Sequence, residues 1–126
     1  MFKINGTNIL LTRGDKCTIT LKVTPKENEE FIFNPGDIIS FSVYNKKGLD
    51  SEPLLSKETI INESTNIVDI SLNGDDTKIG DLSNKPIDYW YEIQLNYDQT
   101  IIGYDNNGPK ILTLYPEGIE AKWIRN

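Results

Sequence analysis

Cys17-Thr18-Ile19-Thr20-Leu21-Lys22-Val23 is the stretch that decides the fold. Successive side chains of an extended chain point to opposite sides, so Cys17, Ile19, Leu21 and Val23 share one face and Thr18, Thr20 and Lys22 the other. A helix would gather residues three and four apart and scatter these apolar groups around its axis. The stretch therefore reads as a half-buried strand with the Cys17 face turned to a core. Ile39-Ser40-Phe41-Ser42-Val43 repeats the pattern, and Ile67-Val68-Asp69-Ile70-Ser71-Leu72 follows it more loosely. Tyr89 to Tyr97 sets Tyr91, Ile93, Leu95 and Tyr97 opposite Trp90, Glu92, Gln94 and Asn96, which predicts a core position for Tyr91 and Tyr97.

Shorter candidates lie at Asn8 to Leu11, Leu54 to Ile61, Thr100 to Tyr104, Ile111 to Leu114 and Ile119 to Ile124, giving about 7–9 strands in all. Between them stand Arg13-Gly14-Asp15, Asn34-Pro35-Gly36-Asp37, Lys47-Gly48, Asn73-Gly74-Asp75, Asp105-Asn106-Asn107-Gly108 and Pro116-Glu117-Gly118. These are turn signals, since Gly and Asn accept positive φ and Pro presets a turn. Their spacing predicts an antiparallel β-sandwich occupying residues 1–126 as one domain. The sole helical candidate is Asp75 to Leu82, one or two turns that would cross between the sheets.

The chain has 126 residues, with 13 basic and 19 acidic side chains, a formal charge of −6 and no histidine. Without histidine the commonest general base, the usual partner of a nucleophilic Ser or Cys, and the commonest transition-metal ligand are all missing. Acidic neighbours such as Glu29-Glu30 and Asp75-Asp76 alternate faces on a strand, so they make no convergent catalytic pair. No catalytic residue, metal site or cofactor is expected. The scattered lysines and arginines argue against nucleic acid. Met1 to Gly6 shows no charged leader before a long apolar stretch, so neither a signal peptide nor a membrane span is expected. The single cysteine, Cys17, cannot form an intrachain disulfide and points to a reducing compartment. Two loops, at Asp75 and at Asp105, carry the oxygen-rich side chains that calcium favours, but lack the alternating acidic spacing of an EF-hand and read as tight turns. Arg13-Gly14-Asp15, an adhesion tripeptide by spelling, reads as a β-turn as well.

Aromatic and apolar residues outside the core pattern mark a candidate interface. Trp90 falls on the face opposite Tyr91 and Tyr97, beside Tyr89, Trp123 lies near the C-terminus, and the stretch Tyr97 to Lys110 is longer than a tight hairpin needs. That stretch carries Ile101, Ile102 and Tyr104, and is expected to be an arm packing on a neighbouring subunit.

The order of short motifs resembles the immunoglobulin-like domains of phage and prophage structural proteins of low-GC Gram-positive bacteria, tail and baseplate domains among them. The residues that carry it are Gly14-Asp15 before the strand from Cys17, Pro35-Gly36-Asp37 before Ile39 to Val43, Leu55-Ser56-Lys57, Asp76-Thr77, Tyr91-Glu92-Ile93-Gln94-Leu95, and Thr113-Leu114 followed by Pro116-Glu117-Gly118. The resemblance implies an immunoglobulin-like sandwich and a non-enzymatic component of a virion or phage-like particle made in the bacterial cytoplasm. Its partners would be other particle subunits, in homo- or hetero-oligomeric assembly. Asp98 to Lys110 departs from the pattern, because such domains turn back sooner after the tyrosine-bearing strand. The rival expectation is a carbohydrate-binding sandwich that presents Trp90, Tyr104 and Trp123 to a cell-surface glycan.

Overall fold

The computed structural model describes residues 1–23, 31–45 and 52–117. In chain order the strands are β1 (Phe2–Asn5), β2 (Asn8–Thr12), β3 (Cys17–Lys22), β4 (Ile38–Tyr44), β5 (Leu55–Ile60), β6 (Ile67–Leu72), β7 (Ile87–Leu95), β8 (Gln99–Ile102) and β9 (Lys110–Tyr115). The fold is all-β, with no helix among the described residues. A 7-stranded sheet runs β1-β2-β9-β7-β4-β5, with β8 paired to β7, and a 2-stranded sheet of β3 and β6 lies against it. The two sheets pack face to face as a β-sandwich.

Period-two patterning becomes layering. Ile19 and Leu21 of β3 and Val68, Ile70 and Leu72 of β6 join Ile9, Leu11, Ile39, Phe41, Val43, Tyr89, Tyr91, Ile93, Leu112 and Leu114 of the large sheet in one core. Phe41 and Tyr91 meet there with ring centroids 5.6 Å apart. Cys17 is half-buried at the core's margin, as its strand face requires. Burial, with the charge of Asp15 adding to it, pushes its thiol up to about 11, leaving little nucleophilic thiolate at neutral pH.

Five expectations are corrected or extended by the structure. First, the sheet is mixed: β2 runs parallel to β9, pairing Ile9 with Leu112 and Leu11 with Leu114. No hairpin joins these two strands, so no turn forces them antiparallel. Second, Phe2–Asn5 is an additional strand, folded back on β2 across Gly6 at φ 64. Third, β7 ends at Leu95 and does not reach Tyr97. Asn96 and Tyr97 take φ of 52 and 65, the positive values that suit a twisted hairpin. Tyr97 is consequently 55% exposed, not core, and its hydroxyl donates to Glu58 Oε1 at 2.6 Å.

Fourth, Asp75 to Leu82 is turn and coil and not a helix. Asn73 and Asp76 clamp each other's backbone, the Asn73 N–H donating to Asp76 Oδ2 at 2.8 Å and the Asp76 N–H to Asn73 Oδ1 at 2.9 Å. Such side-chain bonds compete with helical ones, and Gly80, at φ 70, turns the chain away. Thr77, 2% exposed, ties this turn to the β2–β3 connection. Its hydroxyl accepts from the Gly14 N–H at 2.9 Å and lies 2.9 Å from the Asp15 carbonyl and 3.1 Å from that of Gly74. Fifth, half of the expected arm belongs to the domain itself, since β8 pairs with β7, and Ile101 and Ile102 pack against the core. The strand candidate at Ile119 to Ile124 lies outside the described residues.

Candidate functional site

The outer face of the large sheet holds the aromatic residues that the core does not use. Registers place Tyr44 of β4, Trp90 of β7 and Ile111 of β9 in one row across it, with Ser42 beside Glu92 in the next. Trp90 is half-buried, and its ring meets the ring of Tyr104 at a centroid distance of 6.1 Å and an angle of 62°. This edge-to-face arrangement suits the aromatic quadrupoles. Tyr104 is 61% exposed, so the pair presents a large ring surface to the outside. Below it the Tyr44 hydroxyl donates to Glu92 Oε1 at 3.1 Å. Burial, then the neighbouring Glu92 charge, raises the Tyr44 phenol above its usual range, so it remains a donor.

Tyr104 reaches Trp90 because the loop after β8 lies down on β7. Gly103 permits this approach: a Cβ there would stand 2.6 Å from Thr100 Cγ2 and 3.5 Å from Glu92 Cβ. The loop then closes on itself. The Gly108 N–H donates to the Asp105 carbonyl at 2.9 Å and the Asn107 N–H to Asp105 Oδ1 at 2.8 Å, while Lys110 Nζ sits 2.8 Å from Asp105 Oδ2. The Lys110 hydrogen bond, then the Asn107 N–H, holds the Asp105 carboxyl below its usual range.

Of the sequence candidates, the structure brings Trp90 and Tyr104 together. It assigns Ile101 and Ile102 largely to the core margin, and Trp123 lies outside the described residues. Sequence reasoning passed over Tyr44, whose position two residues beyond Ser42 put it on the outward face, and Glu92, whose spacing from Trp90 did the same.

In each of the two candidate calcium loops one carboxylate is already engaged. Asp105 binds Asn107 and Lys110, and Asp76 binds the Asn73 N–H and Lys57 Nζ, the latter at 3.1 Å. Among the described residues no group of three or more acidic, His or Cys side chains converges for a metal. Millimolar calcium is accordingly expected to leave the melting temperature unchanged. A saturating rise of several degrees, lost in Asp105→Ala, would contradict the turn assignment. Among the described residues no helix is long and apolar enough to cross a membrane. Comparison with protein-family models, with curated proteins and with solved structures finds no match to this chain.

Proposed function

We propose that the chain is a non-enzymatic docking module, an assembly component of a phage or phage-like particle. It would be made in the bacterial cytoplasm and would attach to other particle subunits through the outer face of its large sheet. The observation that carries the docking role is the Trp90–Tyr104 pair, held out on a sheet face by a loop and not folded into the core. Aromatic residues dominate binding energy where proteins meet, because they bury much area at little entropic cost. The particle assignment rests on the motif order described above.

A glycan is the second reading, favoured by the same rings standing beside Glu92 and the Tyr44 hydroxyl, an aromatic platform with polar groups at its edge. One variant addresses both. Trp90→Ala with Tyr104→Ala is expected to weaken co-purification with particle subunits roughly 10–100-fold, the effect of removing two central anchors, with an unchanged circular dichroism spectrum. Loss of binding to immobilised surface polysaccharide, with particle incorporation intact, would favour the glycan. Unchanged behaviour in both assays would remove this face from the function.

A further inference from the structure

A second surface lies on the opposite side of the large sheet. By register Phe2 and Ile4 of β1 belong to the inward side, opposite Leu11 and Ile9, which are 1% and 2% exposed. Yet Phe2 is 36% and Ile4 44% exposed. The reason is arithmetic of strands: a 2-stranded sheet faces a 7-stranded one, so among the described residues no strand covers the flank beyond β3. Between β3 and the β1–β2 hairpin opens a cavity of about 100 Å³, lined by Ile4, Ile9, Ile19, Leu21, Tyr91 and Ile102.

Among the described residues the backbone of β3 has no partner strand on that same flank. The Val23 N–H donates to the Asn66 carbonyl directly opposite it. Ladder alternation then turns the N–H and C=O groups of Cys17, Ile19 and Leu21 towards β6, and those of Thr18, Thr20 and Lys22 away from it. No strand pairs with β3 on that side among the described residues. Side chains of this outward set are exposed, and neither Lys16 nor Lys22 has an ion-pair partner among the described residues.

We propose that this flank is a strand-accepting groove, filled by an extended segment of a partner subunit in which apolar and acidic residues alternate. Backbone pairing with Thr18, Thr20 and Lys22 would supply the hydrogen bonds, as in other strand additions. Apolar side chains, at every second position, enter the cavity beside Ile4 and Ile102. Acidic ones, on the other face, meet Lys16 and Lys22. The lysines select this occupant: a second copy of β3 would bring only further lysine and threonine to the edge. The proposal is independent of what the Trp90 face binds.

The test is amide hydrogen exchange by NMR on the full chain, with the peptide acetyl-Glu-Val-Asp-Ile-Glu-Val-Thr-amide as probe. The amides of Thr18, Thr20 and Lys22 are expected to exchange quickly in the free protein and at least about 10-fold more slowly at saturating peptide. Thr20→Pro removes an N–H that β6 does not use and is expected to abolish this protection. Should that variant fail to fold, Ile4→Glu, at an already exposed site, is expected to weaken the peptide at least about 10-fold while the fold persists. Three outcomes overturn the proposal: no protection at millimolar peptide, equal protection by a peptide of the same composition with its apolar residues contiguous, or protection already present without peptide, whether constant or rising with protein concentration.

Discussion

Phe41→Ala is expected to lower the free energy of unfolding by about 3–5 kcal/mol, the range for truncating a large aromatic in a packed core. Phe41 is fully buried, at 0% exposure, on the central β4 strand and against the Tyr91 ring. β4 is paired on both sides, with β5 and β7, so its backbone has little freedom to collapse into the void. Urea unfolding with an unchanged m-value measures the effect cleanly. A loss below about 1 kcal/mol would mean that the faces of β4 are exchanged, since a one-residue slip inverts every side chain of a strand.

Thr77→Val is the second large effect, expected at about 2–4 kcal/mol although the two side chains have nearly the same shape. Valine fills the space but leaves the Gly14 N–H without its acceptor and removes the proton shared between the Asp15 and Gly74 carbonyls. Part-buried backbone groups that lose their partners are costly, which is why one hydroxyl can outweigh a well-packed methyl. Thr77→Ser keeps the hydroxyl and is expected to cost clearly less than the valine. Equal losses in the two variants would assign the role of Thr77 to packing and not to hydrogen bonding.

These two residues also show what a sequence discloses. Phe41 was legible because Ile39, Phe41 and Val43 alternate with serines, and a period of two is a local property. Thr77 was not, because its Gly14 and Asp15 partners lie more than sixty residues away in the β2–β3 turn. The same division runs through the fold. β3, β4, β6 and most of β7 could be read directly, whereas the parallel β2–β9 pairing depends on where two distant strands come to rest. Tyr97 was misassigned because alternation continues in the letters after the backbone has turned at Asn96. The expected helix at Asp75 gave way to the reciprocal Asn73–Asp76 clamp, whose residues favour helix starts and tight turns alike.

In the candidate site the outward position of Trp90 was legible by parity, and Tyr104 was singled out for its place in a long segment. Their contact was not, since it needs Gly103 to let the loop settle on β7. The long segment itself divides into a strand that the sheet needs and a loop that delivers one aromatic ring. Its apolar residues are therefore no measure of how much surface is left for a partner.

On the proposed function the Trp90 face is open in the free domain and covered in the assembled particle. The chain has two tryptophans, so Trp123→Phe leaves Trp90 as the single indole reporter. Acrylamide quenching of its fluorescence should be efficient in the isolated protein and fall several-fold once the same protein is incorporated into particles. Quenching that is equal in both states would contradict the claim and leave the aromatic pair as a feature of the fold alone.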